Sequence, residues 1–262
     1  MMWTGLASLM LWTGDAGYAA DFSEAEYGQL EKCTWEGDDG SVLPYRFYKP
    51  ETKAGEKYPL IIFLHGAGER GTDNVGQLKN DQFLQLIFSD KGREHPAFLI
   101  APQCPGGERW CEVDWGLPVT HQTPANPSRG MEKLHALLQQ LKKDYPIDEK
   151  RIYVTGLSMG GYGTFDFMVR YPNEVAAAIP VCGGADLKKL REDPLVYTIP
   201  VWIFHGSADG AVPVTRSRGA YEILKTRNPD AHYTEVPEMG HNVWTVAYKT
   251  PGLIDWLFRQ SK

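Results

Sequence analysis

Three kinds of residue suffice for acyl transfer by a hydroxyl: a serine, a histidine and an acid. Ser158 lies in Gly156-Leu157-Ser158-Met159-Gly160, a G-x-S-x-G pattern. A serine hydroxyl is a weak nucleophile and works only when held exposed, beside a base and near the positive end of a helix. The run before it, Ile152 to Thr155, is β-branched and aromatic and reads as a buried strand. Tyr162 to Tyr171 behind it carries helix formers at helical spacing and is closed by Pro172. A strand, a sharp turn and a helix then place Ser158 at the apex. Gly156 and Gly160 leave its flanks almost free of side chain, while Gly161 and Gly163 let the helix approach the sheet. A Gly-rich turn with a chance serine is the plain alternative, so the pattern has meaning only if partners exist.

Partners are present at other strand ends. Ile199 to His205 reads as a buried strand that opens into Gly206-Ser207-Ala208-Asp209, with Pro213 just beyond. A carboxylate at Asp209 can orient an imidazole and stabilise its charged form. An Asx-type turn is the ordinary reading of the same residue, and Asp186, after the strand Val175 to Val181, is the rival acid. Of the seven histidines, His241 alone follows the last strand (Ala231 to Pro237), with Gly240 before it and a helix after it. The order Ser158, Asp209, His241 is that of an α/β-hydrolase rather than of a chymotrypsin-like or subtilisin-like enzyme.

An oxyanion also needs donors. Tyr58-Pro-Leu-Ile-Ile-Phe-Leu is an almost continuous apolar run, as a central parallel strand covered on both faces should be. It ends in His65-Gly66-Ala67-Gly68-Glu69-Arg70-Gly71. Such a turn can aim the Ala67 N–H at an oxyanion together with the Met159 N–H. His65 reads as a loop-former, and Glu69 and Arg70 as ties within the loop, with Arg70 a weaker candidate for substrate binding.

The remaining elements position these groups. Strands are expected at Leu43 to Tyr48 and Ala97 to Ala101, and helices at Asn80 to Phe88 and Ser128 to Tyr145. Pro102 to Pro127 is long, irregular and rich in Pro and Gly, and it holds Trp110, Trp115 and His121. It follows a strand's carboxyl end, where open α/β sheets bind ligands, so it reads as a wall of the substrate cleft. Trp115 and Trp244 are candidate substrate contacts.

With 262 residues, 42% hydrophobic and 23% charged, the chain suits one globular domain over 21–262. A formal net charge of -6 argues against nucleic acid and anionic membranes as partners. Residues 1–20 are apolar and uncharged at the start, with Gly17 and Ala19 placed as in a cleavage site. They look like a signal peptide without its basic flank, too short to span a bilayer, and point to a secreted or periplasmic protein, with the cytoplasm as the alternative. Cys104 and Cys111 flank a Pro-Gly-Gly loop and, after export, could close a disulfide; Cys182 suits the core. No cysteine has the spacing of a zinc site, and the chemistry calls for no metal or cofactor.

The sequence resembles the α/β-hydrolase superfamily, and within it the small esterases described as predicted peptidases or phospholipase/carboxylesterase-like. The matching stretches are Leu60 to Gly71, Ala101 to Cys104, Gly156 to Gly163, His205 to Asp209 with Val212-Pro213, and Gly240-His241. Feruloyl and acetylxylan esterases and polyhydroxybutyrate depolymerases share these motifs. The resemblance implies a mostly parallel central sheet with helices on both faces, Ser158, Asp209 and His241 as triad, and Ala67 and Met159 as oxyanion donors. It implies a serine carboxylesterase acting on a small or polymer-borne ester, with feruloyl or acetyl esters of plant polysaccharides as candidates. A peptidase of the same fold and a non-catalytic binding protein remain open, as does the oligomeric state.

Overall fold

The structure, a computed structural model, describes residues 28–262; the leader-like stretch 1–20 lies outside them. Eight strands form one sheet: β1 (Glu31–Glu36), β2 (Val42–Tyr48), β3 (Tyr58–Leu64), β4 (Phe98–Pro102), β5 (Ile147–Leu157), β6 (Ala177–Val181), β7 (Val201–Gly206) and β8 (Ala231–Val236). Their order is β1-β2-β4-β3-β5-β6-β7-β8. The β1–β2 and β2–β4 pairs are antiparallel and the other pairs are parallel. This is the α/β-hydrolase fold expected from the order of the motifs.

The main helices are α1 (Gln82–Phe88), α2 (Arg129–Asp144), α3 (Met159–Arg170), α4 (Leu187–Glu192), α5 (Thr215–Leu224) and α6 (Leu253–Phe258). Alternation along β3 sorts them into two layers. Leu60, Ile62 and Leu64 join a core with Leu134 and Leu138 of α2, Phe165 of α3 and Leu224 of α5. Ile61 and Phe63 face the other way, onto Phe83 and Leu84 of α1 and Ile254 and Leu257 of α6. Both faces of β3 are therefore dry, which is why its sequence is a run of apolar residues without alternation. Ser128 caps α2 through its hydroxyl, which accepts from Met131 N–H. Among the described residues no helix is long and apolar enough to cross a membrane.

β4 lies on one side of β3 and β5 on the other, so the direction of winding reverses between β3 and β5. At such a reversal the loops leaving two adjacent strands diverge and open a crevice at their carboxyl ends. The Ala67 turn leaves β3 and Ser158 leaves β5 at that point.

β1 is absent from the sequence expectations. Its residues, Glu-Lys-Cys-Thr-Trp-Glu, are mostly exposed or half-buried, as on an edge strand guarded by charge. β5 is longer than Ile152 to Thr155 because its polar start, Ile147 to Arg151, pairs at Ile147 with Tyr58 before a register shift.

The disulfide between Cys104 and Cys111 that the sequence leaves open is not formed: both are free, as are Cys33 and Cys182. Although near in sequence, the two thiols point into separate apolar clusters. Cys104 packs in the main core with Trp110 and Met131, whereas Cys111 packs with Val113, Tyr162 and Val212.

The irregular stretch 103–127 is fixed chiefly through its backbone. Tyr162 OH donates to Trp115 O and Ser128 Oγ to Trp110 O. Arg216 donates to Leu117 O and to His121 Nδ1, and Thr215 Oγ1 to Pro118 O. Arg170 binds Pro124 O and Ala125 O, and Thr123 N–H donates to Asp186. Burial, then the adjacent Arg216 charge, pushes His121 down to about 4.

That shift carries a sign. Between about pH 6.5 and about pH 4 the unfolded chain protonates His121 and the folded chain does not, so stability falls as pH drops through this window. The contribution is on the order of 3 kcal/mol. Urea unfolding from neutral pH to pH 4 should show a shallower loss in His121→Asn than in the parent; equal slopes would contradict it.

Candidate active site

The Ser158 turn is made by close contact of main chains. A Cβ at position 160 would overlap the Leu64 carbonyl at the end of β3, and one at 161 would overlap the Val181 carbonyl at the end of β6. Only glycine lets α3 start at this depth between the strands. Ser158 takes up the sharp reversal at φ 54°, ψ −116°, a region costly for a residue with a side chain. Its N–H donates to Val181 O at 3.0 Å and its C=O accepts from Tyr162 N–H at 3.1 Å.

From this apex the Ser158 hydroxyl meets His241 Nε2 at 2.8 Å, and His241 Nδ1 meets Asp209 Oδ2 at 2.8 Å. The three residues come from the ends of β5, β8 and β7. The Asp209 side chain is wholly buried, while 27% of the His241 side chain is exposed, so the relay opens to solvent through the imidazole. Asp209 Oδ1 accepts from Ala211 N–H at 2.8 Å and Val212 N–H at 2.9 Å. The Asx turn weighed as an alternative is thus present, and one carboxylate does both jobs. Burial alone would push this carboxyl up, but hydrogen bonds from His205, His241 and the Val212 N–H overcome it and leave Asp209 well below the usual carboxylate range. The rival, Asp186, accepts from Lys188 N–H and Lys189 N–H as the cap of α4, and binds Thr123 N–H.

Ala67 opens a short 3-10 turn, Ala67–Glu69, and Met159 is the first residue of α3. The amides at such positions have no acceptor within their own turn. Gly66 brings the two together: a Cβ there would stand 3.6 Å from Ser158 Cβ. His65 is the buried peg of this turn. Its Nδ1 lies 2.6 Å from Gly66 O, and its Nε2 accepts from Cys104 N–H at 2.9 Å. Nδ1 therefore carries the proton and donates to Gly66 O. Burial pushes this ring down to about 4, which suits a neutral structural group. Trp110 Nε1 donates to His65 O at 3.1 Å. Arg70 donates to Ala67 O and Glu108 O, and Glu69 accepts from Asn80; both tie the loop.

Trp244 stands edge-on to His241 with centroids 5.5 Å apart. Trp115 packs against Cys111, Val113, Tyr162 and Val212 with the Arg109 guanidinium 4.5 Å above its ring. Among the described residues, Cys182, Asp209 and His241 have ligand atoms within 4.8 Å of one another. His241 Nδ1 is already joined to Asp209, and burial keeps the Cys182 thiol protonated, so the donor set is that of a proton relay. The residue at this site that sequence reading passed over is His205, whose Nε2 is 3.2 Å from Asp209 Oδ2. The signal available was its place at the end of β7, four residues before the acid.

A family model described as Phospholipase/Carboxylesterase matches residues 50–250. A bifunctional acetylxylan esterase/xylanase of Neocallimastix patriciarum is 32% identical over 182 residues, covering 70% of this chain and 24% of that protein. A probable carboxylesterase of Oryza sativa subsp. japonica is 23% identical over 195 residues, covering 71% of this chain and 82% of its own. A solved thermostable esterase is 35% identical with a TM-score of 0.83, covering 91% of this chain and 64% of that one.

The backbone at Ser158 supplies a stability test. Ser158→Gly and Ser158→Ala both lose the hydroxyl, but only glycine relieves the positive φ. Thermal unfolding should find Ser158→Gly the more stable of the two by about 1 kcal/mol; the reverse order would show that the turn is not strained.

Proposed function

The chain belongs to the phospholipase/carboxylesterase family, and on that premise we propose that it is a serine carboxylesterase working through an acyl-enzyme on Ser158. The observation that carries this reading is the continuous relay from Ser158 Oγ through His241 to Asp209, with both links at 2.8 Å. His241 Nε2 takes the hydroxyl proton as Ser158 attacks the ester carbonyl. Asp209, held as a carboxylate, keeps the proton on Nδ1 and stabilises the imidazolium. The Ala67 and Met159 amides receive the oxyanion, at the positive end of α3. The alcohol leaves with the proton from His241, and water then repeats the sequence on the acyl-enzyme.

The substrates proposed are acetyl or feruloyl esters on plant polysaccharides. The acetylxylan esterase/xylanase relative supports this choice, and so does Trp244, an aromatic side chain beside the imidazole where a sugar or aryl group can pack. Export of the protein goes with such a polymer substrate.

Two measurements test the reading. Ser158→Ala should fold and lose both ester hydrolysis and fluorophosphonate labelling; retained turnover would refute the nucleophile. Acetylated xylan, methyl ferulate, p-nitrophenyl esters of rising chain length and a peptide amide should rank with the polysaccharide esters ahead, and preferred amide cleavage would favour a peptidase.

The oxyanion donor has its own test. Gly66, at φ −77° and ψ 179°, already has the extended conformation that precedes proline. Ala67→Pro should therefore fold and delete one N–H, lowering kcat by about 10²–10³-fold with KM little changed. An unchanged kcat would remove Ala67 from the oxyanion hole.

A further inference from the structure

Asp209 Oδ2 serves two imidazoles. His241 Nδ1 lies 2.8 Å from it on the solvent side and His205 Nε2 lies 3.2 Å from it on the core side. His205 sits in β7 with no exposed surface. Its Nε2 also faces Val212 O at 3.0 Å, and its Nδ1 faces Ser217 Oγ of α5 at 2.7 Å. Two oxygens without hydrogen confront Nε2, so Nε2 carries the proton and shares it between Val212 O and Asp209 Oδ2. Nδ1 then accepts the Ser217 hydroxyl proton. Ser217 Oγ is also 3.3 Å from Gly183 O.

We propose that His205 is a positioning residue of the catalytic site: as a second imidazole donor it fixes Asp209 and sets the charge that Asp209 presents to His241. The contact stands on geometry alone, and its consequence for catalysis rests on the esterase function proposed above. A buried carboxylate with only the His241 donor on Oδ2 would carry a more concentrated charge and a freer rotation. With His205 in place, Oδ2 is shared between two N–H groups while Oδ1 is held by Ala211 and Val212, so every direction of the carboxylate is occupied. The other ionisable groups facing this cluster do not take over the role. Cys182, at the end of β6, is kept protonated by burial, and Glu235 of β8 is paired with Arg218 and Tyr233.

The test compares the parent, His205→Gln, His205→Leu and Ser217→Ala. Glutamine reaches the Nε2 position with an N–H donor, whereas leucine fills space without one. Hydrolysis of p-nitrophenyl acetate is measured across pH on folded protein, with sites counted by fluorophosphonate. The downfield proton resonance of His241 Nδ1–H is recorded in parallel. His205→Leu should lower kcat by about ten- to a hundredfold with little change in KM. Its acid limb of kcat/KM should move to higher pH, and the downfield resonance should shift. His205→Gln should recover most of the rate and the parental limb, and Ser217→Ala should move the limb in the leucine direction by less.

A folded His205→Leu with parental limb and resonance overturns the proposal, as does a glutamine variant no better than leucine. If His205→Leu does not fold, the other two decide, and a limb unmoved by Ser217→Ala overturns it. A parent chain inert to both ester and fluorophosphonate would sink the esterase reading instead, and the resonance would still report whether His205 acts on Asp209.

Discussion

The whole arrangement depends on how closely α3 approaches the ends of β3 and β6. At Gly160 and Gly161 main chain rests on main chain, with the Leu64 and Val181 carbonyls where side chains would otherwise be. This contact drives Ser158 out at the top of the sheet and leaves the Met159 amide at the open end of a helix. It also brings the Gly66 turn against Ser158. The Ser158 hydroxyl and the Ala67 and Met159 amides are thus set by one steric condition, the absence of two Cβ atoms, and Asp209 and His241 add to a site already shaped.

The second condition is electrostatic. A carboxylate with no solvent contact is expensive unless its oxygens are occupied. Asp209 meets this with two backbone amides on one oxygen and imidazoles on the other. The backbone amides come from its own turn, so the local conformation that defines an Asx motif adds to the two imidazole hydrogen bonds that keep the acid ionised. His65 shows the complementary case: a buried imidazole with one proton, one donor bond and one acceptor bond, for which neutrality is the satisfied state.

Much of this was legible because strand ends are legible. The apolar runs of β3 and β7 both close on His-Gly, and each leads straight into residues of the candidate site. The family resemblance then matched fold to motif. What escaped did so for identifiable reasons. β1 alternates charged and half-buried residues and resembles a loop. Cys104 and Cys111 are close in sequence but are turned into different apolar clusters, a matter of backbone path that spacing does not reveal. His205 looks like an ordinary strand terminus until the turn after it folds Asp209 back over its ring.

The stretch 103–127 is anchored largely through its carbonyl oxygens, at residues 110, 115, 117, 118, 124 and 125. A carbonyl is the same whatever side chain its residue bears. Outward-facing positions on this stretch can therefore be exchanged while its path over the frame is kept, much as loops vary on an antibody. For evolution, or for an engineer, it is a region whose side chains can be changed without renegotiating the fold.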